Sequence, residues 1–200
     1  MSRTNLTENV RNIDEWRMSQ VPAWFERRFE FNVPVDQYPN LCIRLWGTPA
    51  RLEELFRGIS RDVVVRRPTA KWSAQEHAGH LLDLESLWMA RVDDLLAGRD
   101  RLTVADLTNR KTHEANHNAR LLTEILEEFR SARFYLVNRL GTLRPADFAR
   151  SALHPRLKQP MRLVDHLYFA AEHDDHHLAT IRELIIIPRS TRGPACPLDE

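Results

Sequence analysis

Residues 171–181 read AEHDDHHLATI, with three histidines and two aspartates inside residues 173–177. Imidazoles and carboxylates ligate metals and carry protons, so the first question is which of these groups share a face. On a helix each residue turns about 100° from the last. Measured from the apolar stripe through Leu163, Leu167, Ala170, Ile181 and Leu184, His177 stands roughly 40° to one side and His173 about twice as far on the same side. His176 turns toward solvent. Spaced i and i+4, His173 and His177 can grip a single metal ion. The competing reading is a pair of hydrogen-bonded core histidines, because an unsatisfied buried polar group costs roughly 1–3 kcal/mol and must find some partner.

A metal needs a third ligand, and the stretch EHAGHLLDLE at 76–85 offers His77 and His80 at i and i+3. Helical geometry puts His77 further inward and His80 on the shoulder. Spacing alone does not choose between them.

The elements that must hold these residues are helical. Four long segments carry a period near 3.6, and none carries strand alternation. The first covers residues 39–58, with Leu41, Leu45, Thr48, Leu52, Leu55 and Ile59 in one stripe. Pro49 predicts a kink or restart there, with Thr48 as a fresh N-cap. The second opens at Ser73, whose partner Glu76 completes a capping-box pattern, and stops at Gly98. The third spans residues 114–140 with Gly141 as its stop, and the fourth spans 162–187 and ends at Pro188. The connections at 58–72, 99–113 and 141–161 are long enough to return the chain along a bundle. The expectation is an all-α four-helix bundle over residues 39–187. Residues 1–38 would form a helical, aromatic-rich extension packing across it or across a second subunit, and 188–200 a loose tail.

Bulk composition narrows the function classes. Lys plus Arg is 29 against Asp plus Glu at 28, so there is no cationic excess for nonspecific nucleic-acid binding. No apolar run is long enough to span a bilayer, and residues 1–17 lack the apolar core of a secretion signal. Cys42 and Cys196 are far apart, and no disulfide is expected. A cytoplasmic protein without membrane or nucleic-acid partners follows as the expectation.

The pair of stretches KWSAQEHAGHLLDLE and AEHDDHHLATI resembles the DinB-like metal-binding four-helix bundle superfamily. The resemblance covers roughly residues 39–187. It implies one divalent ion, nickel or zinc, on three histidines: one at the GHL position of the second helix and an HxxxH pair on the fourth. In this sequence those are His80, His173 and His177. The family pattern thus selects His80 where geometry leans to His77. Asp83 matches the acidic residue that follows the helix-two ligand, with an outer or structural role. Relatives include thiol-dependent transferases and metal hydrolases, which makes a small-molecule substrate, a low-molecular-weight thiol cosubstrate and a homodimer the implied partners.

Three imidazoles leave a coordination position open for chemistry. Helpers are sought in NRKTHEANHN at 109–118. Arg110 would hold a carboxylate and His117 would move a proton, beside Asn109, His113 and Asn116; the bland alternative is a capped, solvated surface. Glu85 would orient a ligand histidine, or form an ordinary boundary salt bridge. Asp174 projects toward the seam beside the ligands, where it would hydrogen-bond an imidazole or cap a subunit contact. Trp72 and Trp88 read as core. Two functions result: a metal-dependent transferase or hydrolase, and a noncatalytic metal-stabilised bundle with a stress or interaction role. An open fourth position with polar helpers favours the first.

Overall fold

The computed structural model describes residues 21–68 and 71–186. Residues 1–20 of the expected extension, the tail at 188–200 and the stop at Pro188 lie outside these residues. Within them the protein is a four-helix bundle whose long helices are α1 (Tyr38–Phe56), α3 (Ala74–Leu96), α5 (Leu122–Gly141) and α6 (Leu163–Ile185). Two short helices, α2 (Arg61–Val64) and α4 (Arg110–Glu114), sit in the connections. α1 packs on α5 and α6, and so does α3. The chain therefore crosses the bundle diagonally twice, between α1 and α3 and between α5 and α6. Both crossings use long connections; the one between the neighbouring α3 and α5 is longer still and folds back onto α3. No helix among the described residues is long and apolar enough to cross a membrane.

Local sequence sets the ends of these helices. Ser73 and Glu76 form the reciprocal capping box of α3: the Glu76 N–H donates to Ser73 Oγ at 3.1 Å and the Ser73 N–H to Glu76 Oε2 at 2.9 Å. At the other end Gly98 takes φ +68°, Arg99 N–H donates to Asp94 O at 3.0 Å, and Gly98 N–H donates to Leu95 O at 3.2 Å. Glycine takes that left-handed turn at no steric cost, having no Cβ. Asp165 caps α6 by accepting from the Arg162 N–H at 3.1 Å.

Three details depart from the sequence pattern. α1 runs through Pro49 without a restart. Proline has no N–H for the Leu45 carbonyl one turn back; Arg133 Nη1, reaching across from α5, donates to that carbonyl at 3.2 Å instead. The third helix begins at Leu122 and not at residue 114. Asn109 and Asn116 adopt φ of 53° and 48°, a left-handed conformation that short polar side chains tolerate, and these breaks fold residues 110–119 sideways onto α3. Finally, the last connection contains a small antiparallel hairpin, β1 (Ser151–Leu153) with β2 (Pro160–Arg162), too short to leave an alternation signal.

The core has two apolar parts. Leu45, Val92, Leu136, Leu140 and Leu167 belong to one, and Leu52, Leu81, Ile125, Phe129 and Ile181 to the other. Each such buried side chain contributes about 1.5–3 kcal/mol. Between the two parts runs a polar layer with one residue from each long helix: Thr48, Glu85, Arg133 and Asp174. Arg133, only 1% exposed, donates through Nη2 to Glu85 Oε1 at 2.6 Å and to Asp174 Oδ1 at 3.1 Å. Thr48 Oγ1 donates to Asp174 Oδ2 at 2.8 Å. Burial raises the Glu85 carboxyl above its ordinary range even though Arg133 pulls it down.

Candidate metal centre

α3 and α6 are neighbours, and the histidines meet on the seam between them. His80, His173 and His177 are each 5% exposed, and one nitrogen from each lies within 4.8 Å of the other two. The Nε2 atoms of His173 and His177 are 3.2 Å apart. Two nitrogens bound to one tetrahedral zinc at ~2.0–2.1 Å lie about 3.3–3.4 Å apart, so this pair already has the spacing that a shared cation requires. The donor set fits a divalent ion of the zinc or nickel type, for which imidazole is a suitable ligand.

The nitrogen that His80 offers follows from a chain of hydrogen bonds. Asp83 Oδ2 accepts from Thr112 Oγ1 at 2.9 Å and from His117 Nε2 at 2.9 Å. Burial pushes the Asp83 carboxyl up, but the hydrogen bonds from His117 and Thr112 outweigh it and hold the group below its ordinary value. Asp83 is therefore an acceptor only. The Thr112 hydroxyl spends its one proton on it and must accept from His80 Nδ1, 3.0 Å away. That places the proton on Nδ1 and leaves the Nε2 lone pair free for the cluster, the usual arrangement of a metal-binding histidine. The ring of His117 lies against Gly79, where an added Cβ would stand 2.2 Å from its Cγ. The absence of a side chain at Gly79 is what lets His117 reach Asp83.

His77 is half-buried just outside the cluster, and its Nδ1 is 2.8 Å from Nδ1 of His177. With Nε2 of His177 turned to the cluster, its Nδ1–H donates to His77. Both histidines of α3 thus reach the site, one in the cluster and one behind it. Burial lowers His77 and His80 to about 4, and lowers His173 and His177 well below the ordinary histidine value. All four rings are neutral near pH 7, as ligand and acceptor must be.

The other sequence candidates separate. Arg110 is exposed and reaches Glu114 at 4.0 Å; the structure does not bring it to the histidines. His117 is buried behind Asp83 and is a strut rather than a group at the cavity. Glu85 belongs to the Arg133 layer and touches no histidine, while Asp174, the other carboxylate of that layer, settles its own odd position by accepting from Arg133 and Thr48. The remaining acids of the 171–181 stretch are also partnered: Arg44 donates to Glu172 Oε1 at 2.6 Å and to Asp175 Oδ2 at 3.0 Å. Asn109 lines the cavity beside the cluster. His113 is exposed, with its ring 5.6 Å from Trp72, and Asn116 serves the turn. His176 is not turned out to solvent: it is half-buried, with its ring 5.6 Å from Trp24 of the preceding arm. The geometric estimate failed there because a separate segment covers that face. Thr112 has no counterpart among the sequence candidates, because a lone threonine in a polar loop carries no sequence signal.

The cluster opens onto a cavity of about 480 Å³, within the size range of small-molecule sites. Trp24 stands edge-on to His173 at 4.9 Å, and Trp72 lies 4.8 Å from the His80 ring. Trp88 is therefore cavity wall as well as core, whereas Trp72, expected as core, is half-buried cavity wall outside both apolar parts.

A helical bundle with three histidine nitrogens converging beside a cavity defines a class of fold suited to holding a metal. The chain belongs to the DinB superfamily, whose family model matches residues 44–181. Among solved structures it is similar to YfiT from Bacillus subtilis, described as "a probable metal-dependent hydrolase with an unusual four-helix bundle topology". The two are 20% identical, with a TM-score of 0.69 over 80% of this chain and 91% of that one. At that identity the likeness speaks for the fold. No curated protein matches the chain.

Proposed function

We propose that this protein is a metal-dependent enzyme acting on a small molecule, with His80, His173 and His177 as the ligands of one divalent ion. The observation that carries the reading is the convergence of three neutral, buried imidazoles at one end of a cavity. A noncatalytic, purely structural site has no use for the cavity. Hydrolysis is the reaction type favoured, in keeping with the description of YfiT; thiol-dependent transfer would use the same open position.

A divalent cation held there supplies Lewis acidity, polarising an oxygen or sulfur ligand and easing its deprotonation near neutral pH. The chain's own residues do the rest. Thr112 and Asp83 hold His80 in one tautomer and orientation, and His77 does the same for His177 from its outer nitrogen. Trp24, Trp72 and Trp88 exclude bulk water from the imidazoles, which strengthens every charge interaction in the cavity.

The test is elemental analysis of tag-free protein. Wild type is expected to carry close to one zinc or nickel per chain, and His80→Ala and His173→Ala to carry far less. A wild-type protein that takes up neither metal on exposure would end the enzyme reading.

A further inference from the structure

Part of the cavity wall is cationic, and nothing in the metal reading uses it. Arg91, Arg101, Arg156 and Lys158 line the cavity against a single acid, Asp106. That carboxylate is already engaged by Thr108 Oγ1 at 2.6 Å and by the Arg110 N–H at 3.0 Å. Two of the cations are built in. Arg91 is 2% exposed, donates through Nε to Thr103 O at 3.0 Å, and has its guanidinium 5.8 Å from the Trp88 ring centre. Arg156 lies 5.2 Å from the ring centre of Phe25 and 5.9 Å from that of Phe169. Among the described residues neither forms an ion pair, and Nη2 of Arg156 is buried without a hydrogen-bond partner.

His154, 1% exposed, stands with these two arginines on the cavity wall. Its Nδ1 accepts from the Leu157 N–H at 3.1 Å, so its proton sits on Nε2. That Nε2–H is buried with no partner, as is the indole Nε1–H of Trp88. Burial, then Arg91, then Arg156 push the His154 imidazole down to about 3, which keeps it a neutral donor. Burial and the neighbouring Arg156 also lower Arg91, to about 10, although Asp94 pulls it the other way. Two neighbouring cations, of which Arg91 is opposed by Asp94 without forming an ion pair with it, and buried donors with no acceptor, are each unfavourable alone. One oxyanion relieves both.

We infer that Arg91, Arg156 and His154 form a subsite for the oxyanion of a small organic substrate, a carboxylate or a phosphate monoester. The aromatic walls take the apolar body of the molecule, and its reacting group lies toward His80, His173 and His177. The inference deepens the proposed function by naming the substrate class, and rests on it only for which end reacts.

Calorimetric titration with phenylacetate, phenyl phosphate and the uncharged phenylacetamide tests the subsite on the tag-free protein. At least one anion is expected to bind, at least about tenfold more tightly than the amide; the tighter of the two anions identifies the source of the oxyanion. Arg156→Gln should remove that preference while keeping the metal content of wild type. Arg91→Lys, which retains charge but not the planar fork, should weaken the anion several-fold and covers the case in which the glutamine variant fails to fold. His80→Ala should still prefer the anion. Equal binding of amide and anions, no binding of either anion at millimolar concentration, or a preference that survives both arginine variants would overturn the subsite. A preference lost only in His80→Ala would seat the anion on the metal instead, overturning this inference and leaving the metal reading intact.

Discussion

At the scale of single residues, the direction of each hydrogen bond decides what a side chain can do. Asp83 cannot donate, so Thr112 must, and His80 is left with its Nε2 lone pair facing the cluster. Replacing the hydroxyl by a methyl of the same shape tests this link. Thr112→Val should leave the fold intact yet weaken metal affinity by about 10–100-fold, the usual effect of removing an outer partner of a ligand histidine. A competition titration with a chromophoric chelator reads it. Unchanged affinity would mean that packing alone orients His80. The opening cluster of acids and imidazoles resolves in the same terms: two histidines face the seam, one is covered by Trp24, and Glu172, Asp174 and Asp175 each have an arginine on another long helix.

At the scale of elements, the layer of Thr48, Glu85, Arg133 and Asp174 ties one position of each long helix to the same height. It also repairs α1 at Pro49, since Arg133 supplies the donor that the proline lacks. Asp174 follows His173 directly, so the contact that sets the height of α6 also sets the height of His173 and His177. Arg133→Met should destabilise the protein by about 3–5 kcal/mol, because two buried carboxylates lose their counter-charge. Chemical denaturation gives the figure, and a loss below about 1 kcal/mol would show that water or a rearranged partner replaces the arginine.

At the scale of the whole molecule, buried neutral histidines couple stability to pH. Outside the cluster of His80, His173 and His177, His154 and His166 are pushed down to about 3, first by burial and then by Arg91. Unfolded histidines titrate near about 6.5. Between these values the unfolded chain binds more protons than the folded one. Stability is therefore full above the window and falls as pH drops through it, by up to about 1.4 kcal/mol per pH unit for each ring. The denaturation midpoint should fall clearly between about pH 7 and about pH 5; a flat profile would contradict neutral burial of these rings.

The amino-acid sequence by itself determined the four long helices, the capping box at Ser73 and the stop at Gly98, because helical period and caps are local properties. The resemblance carried by two short stretches pointed to His80 over His77, which angular reasoning on one isolated helix had ranked the other way. That reasoning treats the helix as if its neighbours were absent. The tertiary structure alone decided that Arg110 and Glu85 lie away from the histidines, that the third helix starts after a sideways turn at Asn116, and that His176 is covered. It alone assembled Thr112 behind His80, and Arg91, Arg156 and His154 around one cavity. These residues come from segments far apart in the chain, and their approach depends on which helix faces which. No period or spacing within one segment contains that information.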